Sequence, residues 1–156
     1  MQSISPDPDN FLLLDLPAKV KYALLALLEL ATSFSDQKFI TIPDIVAKQP
    51  IPERYLEQIL MSLKRNGMVK SYRGMKGGYI LTRSPWQITV LDVFMAIEGE
   101  KKTQFSTSTA SNDRIMLSDI WQEAQNAMWQ ILQKQTLDDL HRRCEAFHQD
   151  SVMYHI

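Results

Sequence analysis

The chain has 156 residues, 45% apolar and 22% charged, which is enough for one ordinary core plus an appended element and too apolar for disorder. Its single cysteine excludes an internal disulfide framework and any C-x-x-C zinc site within one chain, and points to a reducing compartment. The apolar run at 11–14 is broken by Asp15 and Pro17 and has no basic residues before it, so neither a signal peptide nor a membrane span is expected. The expected location is cytoplasmic, with no membrane partner.

A net charge of -1 hides an uneven division. Residues 17–83 carry eleven basic side chains against five acidic ones, a balance of +6, and the rest of the chain carries -7. A basic part joined to an acidic part is the pattern of a protein that turns one face to polyphosphate.

Residues 1–10, with Pro6, Asp7, Pro8 and Asp9, hold little that packs, and a flexible leader is expected through residue 16. Val20, Ala23, Leu24, Leu27, Leu28 and Ala31 recur at helical spacing and predict a buried helix over 20–32. Thr41 precedes Pro43 and Asp44, a capped start for a short helix over 43–48. Pro50 and Pro52 break the chain; then Tyr55, Leu56, Ile59, Leu60 and Leu63 form a helical stripe that ends at Asn66 and Gly67. Two short helices joined by a tight turn make a helix-turn-helix.

Past Gly67 the period changes to that of a strand over 68–72, a glycine-rich loop over 73–78 and a returning strand over 79–81, the outline of a wing. Residues 89–99 predict a helix with Val90, Val93, Phe94 and Ile97 inward and Gly99 as its stop, followed by a polar loop over 100–112. From 113 to 134, Leu117, Ile120, Trp121, Ala124, Met128, Ile131 and Leu132 mark one apolar face. A helix of that length outruns a small domain, and the expected cover for its far end is the same helix of a second copy about a two-fold axis. Thr136 with Asp139 predicts a last helix from 137 to about 148. The expected fold is mainly α with a small β-wing: a winged helix-turn-helix domain over 17–99, then a dimerisation helix and a C-terminal helix over 113–156.

The segments Tyr55-Leu56-Glu57-Gln58-Ile59-Leu60, Leu63-Lys64-Arg65-Asn66-Gly67-Met68-Val69 and Tyr72-Arg73-Gly74-Met75-Lys76-Gly77-Gly78-Tyr79 resemble the Rrf2 family of bacterial winged helix-turn-helix regulators, the family of IscR, NsrR and CymR. The resemblance is strong over 17–100 and looser beyond. It implies binding of a double-stranded DNA operator as a homodimer, with the second helix in the major groove and the wing in the adjacent minor groove. Carried over by position, Arg54, Glu57 and Gln58 face the bases, Arg73 enters the minor groove, and Tyr55 belongs to the DNA-binding set on the same helix. Gln58 can pair with adenine, Glu57 can accept from a cytosine amino group, and Arg54 can meet guanine or phosphate. Lys64, Arg65 and Lys76 suit phosphates, and Gly77 and Gly78 allow a tight wing tip and close backbone approach.

Many relatives carry three cysteines in the loop before the long helix, where they hold an iron–sulfur cluster; residues 99–112 here contain none. The only cysteine and all three histidines lie in the last sixteen residues, with His141, Cys144 and His148 at i, i+3 and i+7 on one helix face. Three readings stay open. The trio could ligate a metal or a 2Fe–2S cluster of His/Cys type, completed by His155 or by the second protomer. It could be a polar helix face with a half-buried thiol, or Cys144 could be a redox-reactive thiol near arginines. Redox or iron sensing is therefore an expectation tied to the first and third. No phosphate loop and no nucleophile elbow occurs, so no enzymatic activity is expected. The alternative to an operator-binding regulator is a winged-helix protein-interaction module, or a regulator that senses through a partner protein.

Overall fold

The structure, a computed structural model, describes residues 16–99 and 111–153. The expected leader, the greater part of the expected loop at 100–112, and His155 lie outside the described residues. The order of elements is α1 (Ala18–Thr32), α2 (Ile42–Lys48), α3 (Glu53–Arg65), β1 (Val69–Tyr72), β2 (Gly78–Leu81), a 3₁₀ turn (Pro85–Gln87), α4 (Val90–Glu98), α5 (Asn112–Lys134) and α6 (Leu137–Met153).

The apolar spacing of α1 buries Val20, Ala23, Ala26, Leu27 and Leu30. Against that stripe pack Ile45 of α2, the Leu56, Ile59, Leu60 and Leu63 face of α3, Leu81 of β2, Val93 of α4 and Leu137 of α6. A fully buried leucine contributes roughly 1.5–3 kcal/mol, so this one cluster holds the helix-turn-helix, the wing and the last helix together. Among the described residues no polar or charged side chain is buried, which leaves every candidate contact residue on the surface.

Local signals set the helix ends. Thr41 and Asp44 form a reciprocal capping box at the start of α2, and Pro43 sits in its first turn. The Thr41 hydroxyl and then its backbone N–H hold the Asp44 carboxyl below its ordinary range. At the end of α3, Gly67 has φ +74°, the Met68 N–H reaches the Leu63 carbonyl at 3.0 Å, and the Gly67 N–H reaches the Lys64 carbonyl at 3.0 Å. This is the Schellman pattern; it satisfies two orphan carbonyls and turns the chain straight into β1.

The wing pairs β1 and β2 antiparallel, with Val69 opposite Leu81 and Tyr72 opposite Gly78. Spacing alone did not suggest a third edge: Ile40, just before α2, exchanges both backbone hydrogen bonds with Tyr79, at 2.9 and 2.8 Å. Gly78 has φ +142°, and a Cβ there would stand 2.6 Å from the Ile40 carbonyl oxygen, so only glycine fits.

A second stitch joins the C-terminal helices to the winged helix. Thr89 caps α4 through Asp92, and Thr136 caps α6 through Asp139. The two cap residues pair as an antiparallel bridge, flanked by Val90 N–H to the Gln135 carbonyl at 2.8 Å and Leu137 N–H to the Ile88 carbonyl at 2.9 Å. The Thr136 backbone N–H, and then its hydroxyl, hold Asp139 below its ordinary range.

Several boundaries differ from the sequence expectations. Helix α2 starts at Ile42 and α5 at Asn112, one residue earlier than spacing indicates, and the 3₁₀ turn was not foreseen. Helix α6 runs to Met153 because no glycine or proline stands after Thr136 to stop it. Tyr55, counted in the apolar stripe of α3, is 46% exposed: it lies on the edge where that stripe meets the polar face.

Candidate nucleic-acid interface

Burying Leu56, Ile59, Leu60 and Leu63 turns the opposite face of α3 outward, and there Arg54, Tyr55, Glu57, Gln58, Lys64 and Arg65 are all exposed. Arg54, Gln58, Met61 and Arg65 fall at i, i+4, i+7 and i+11, one ridge of the helix. Met61, 62% exposed, interrupts an otherwise polar face, and composition offered no reason to single it out.

From residue 58 to residue 91 the chain contains no aspartate or glutamate, while Lys64, Arg65, Lys70, Arg73, Lys76 and Arg83 fall within that stretch and are all exposed. The end of α3 and the wing therefore place six exposed basic side chains in one stretch of sequence that has no acidic residue of its own. Lys64 Nζ donates to Ser71 Oγ at 2.7 Å, which ties the last turn of α3 to β1. The side chains of Phe39 and Tyr72 meet at 5.8 Å between ring centroids and brace the wing against the segment before α2.

At the wing tip, the Gly77 N–H bonds the Gly74 carbonyl at 3.0 Å, closing a four-residue turn. A Cβ on Gly77 would lie 2.4 Å from the Tyr72 carbonyl oxygen. The space left open by Gly77 and Gly78 is thus occupied by the protein's own carbonyls at Tyr72 and Ile40. Their first role is to shape the hairpin.

Lys19, on the first turn of α1, also belongs to this region: with Tyr55, Gln58, Ile59, Ser62 and Ile97 it lines a shallow cleft beside α3. Linear spacing does not connect Lys19 with Gln58; only the packing of α1 on α3 brings them together.

The whole of α5 lacks a buried residue. Of its expected dimerisation face, Leu117, Ile120, Trp121 and Ile131 are 56–68% exposed, Ala124 is exposed, and Met128 and Leu132 are partly covered. Ile115 and Met116 extend the apolar surface toward the N-terminal end of the helix.

The structure supports the metal-ligand trio less well. His141 is half-buried and lies 3.7 Å from Glu145 Oε1 through Nε2, whereas Cys144 and His148 are exposed. Among the described residues no group of three or more His, Cys, Asp or Glu side chains is placed to hold a metal ion. One thiol per chain does not supply the thiolate set of an iron–sulfur cluster, so the donors of one protomer do not fit that group.

A family model described as "Iron-dependent Transcriptional regulator", Rrf2, matches residues 16–143. The chain belongs to the Rrf2 family of transcriptional regulators. The regulator IscR of Pectobacterium atrosepticum is 32% identical over 128 residues, covering 80% of this chain and 77% of that protein. Among solved structures, IscR of T. potens superposes with a TM-score of 0.70 at 31% identity, covering 84% of this chain and 88% of that one. CymR, the global cysteine regulator of B. subtilis, has a TM-score of 0.70 at 28% identity, covering 84% and 98%. This Rrf2 member is accordingly a DNA-binding regulator of helix-turn-helix type with a mainly helical winged fold. No helix among the described residues is long and apolar enough to cross a membrane.

Proposed function

We propose that this protein is a sequence-specific regulator that binds operator DNA as a homodimer in the cytoplasm. The observation that carries this reading is the set of exposed basic side chains from the end of α3 through the wing, in a stretch of sequence without an acidic residue, beside the exposed Arg54, Glu57 and Gln58. In that reading α3 lies in the major groove, where Gln58 reads adenine, Glu57 accepts from cytosine and Arg54 meets guanine or phosphate. Arg73 enters the adjacent minor groove. Lys64, Arg65 and Lys76 neutralise phosphates and set affinity rather than sequence.

The exposed apolar face of α5 supports dimerisation. Leucine, isoleucine and tryptophan at 56–68% exposure along one helix make a contiguous patch of the kind monomers seldom leave in water. Pairing two copies of α5 about a two-fold axis covers it and sets the spacing between the two α3 helices. The bridge between Thr89 and Thr136 ties the end of α5 to α4, so a change in how the α5 helices pack moves each winged helix as a body. Redox or iron sensing rests on the family description and on the exposed thiol of Cys144, and because one protomer's donors do not fit a cluster, no step of this mechanism passes through one.

The test joins light scattering with selection of duplexes from a randomised pool. Wild-type protein is expected as a dimer that enriches a palindromic site, and Leu117→Glu with Trp121→Glu is expected to give a monomer that binds it at least tenfold more weakly. A stable protein complex formed without any enrichment of DNA would support the interaction-module alternative instead.

A further inference from the structure

The apex of the wing is not polar. The turn closed by Gly74 and Gly77 projects residues 75 and 76 away from the body, and Met75 at its tip has a relative exposure of 106%, so solvent surrounds the whole side chain. Single exposed apolar residues are ordinary on protein surfaces. This one differs by its setting: it stands between Arg73 and Lys76, on a hairpin that also carries Lys70 and no acidic residue. A cationic hairpin with one long, unbranched apolar side chain at its apex is shaped to approach a polyanion and press into something apolar beyond the charges.

We infer that Met75 is an apolar wedge that presses between neighbouring base pairs in the minor groove beside the α3 site, and reads the deformability of that base step. The inference rests on the DNA-binding reading above and adds to it a residue outside its contact set. The minor groove is about 6 Å wide and admits a hairpin tip where it does not admit a helix. Partial unstacking by an inserted methionine opposes binding, and it does so least at flexible pyrimidine–purine steps. Met75 therefore supplies specificity without a hydrogen bond to a base, while Arg73 and Lys76 hold the tip in place electrostatically. A backbone turn braced by Gly77 and by the ring contact of Phe39 with Tyr72 gives the wedge a fixed base.

The experiment uses a duplex enriched by the wild-type protein from a randomised pool, end-labelled for energy transfer. Wild type is expected to shorten the end-to-end distance. Met75→Ala and Met75→Gln are expected to abolish that shortening and weaken binding five- to tenfold, with an unchanged salt dependence because no charge is removed, and Met75→Leu retains both properties. Replacing the pyrimidine–purine step under the wing by an A-tract step should weaken wild-type binding and leave Met75→Ala unaffected. Equal affinity and equal end-to-end distance for wild type and Met75→Ala overturn the wedge. If Arg73→Ala also binds as wild type with an unaltered salt slope, the wing does not reach DNA and the placement of the wing fails with it. If no duplex is enriched at all, the DNA-binding reading itself fails. Met75 makes no contact with the core, so thermal melts of all three variants should match wild type.

Discussion

Lys64 of α3 donates through Nζ to Ser71 Oγ of β1 at 2.7 Å, joining the last turn of the helix to the wing. The bond assigns Lys64 two tasks. One is the phosphate contact proposed above, and the other is to link the last turn of the helix to the wing.

Ser71→Ala keeps the charge and removes only the link. Both residues are at or near the surface, so the stability change should stay within about 1 kcal/mol. Affinity for an enriched duplex should fall two- to fivefold with an unchanged salt slope, whereas Lys64→Ala should lower affinity further and flatten the slope by about one phosphate contact. Titrations between low and moderate salt separate the two; identical slopes for both variants would remove the phosphate role.

The paired caps at Thr89 and Thr136 give a stability prediction. Losing an N-cap threonine costs about 0.5–2 kcal/mol, and each single alanine variant should fall in that range by urea denaturation. Their residues bridge each other and support the same corner, so Thr89→Ala with Thr136→Ala should deviate from additivity by at least about 0.5 kcal/mol. Strict additivity would mean the two caps act independently.

Two glycines with positive φ should respond differently to alanine. At Gly67 a Cβ meets nothing within 4 Å, leaving only the left-handed conformation at φ +74° to oppose it, a cost of about 1 kcal/mol. At Gly78 the φ of +142° is joined by a 2.6 Å clash with the Ile40 carbonyl oxygen, so Gly78→Ala should cost clearly more and detach the Ile40 bridge. Hydrogen exchange at the Ile40 and Tyr79 amides should rise in Gly78→Ala and stay protected in Gly67→Ala.

Acid should act through the caps. Asp44 and Asp139 have lowered folded pKa values because Thr41 and Thr136 bond their carboxylates. A depressed folded value adds stability that is fully present above the unfolded aspartate pKa of about 3.9 and is lost as pH falls through the folded value. Between neutral pH and about pH 5 these two groups should leave the melting temperature unchanged, with the loss beginning below pH 4. Asp44→Asn and Asp139→Asn should each reduce the part of the loss seen below pH 4.

Much of the site is legible in one dimension because short-range physics determines it. The helical spacing of Leu56, Ile59, Leu60 and Leu63 states which face of α3 is buried and therefore which residues point outward. Asn66 and Gly67 announce the end of that helix, and Thr41, Thr89 and Thr136 announce the start of others, since capping involves residues only three apart. Tyr55 belongs to both readings for a physical reason: at the margin of the helical stripe it is apolar enough to join the stripe, and at 46% exposure it also stands on the outward face.

The sequence by itself determined the helices, their caps, the outward face of α3 and the absence of acid from the stretch that forms the wing, because each depends on neighbours within a turn or on composition. Only the tertiary structure decided that Ile40 completes the wing, that Lys19 lines one cleft with Gln58, and that Thr89 pairs with Thr136. Those pairs lie 39 to 47 positions apart in the chain, and such separations are closed by the burial of Leu27, Leu60, Ile88 and Leu137 in one core rather than by any local preference of the residues brought together.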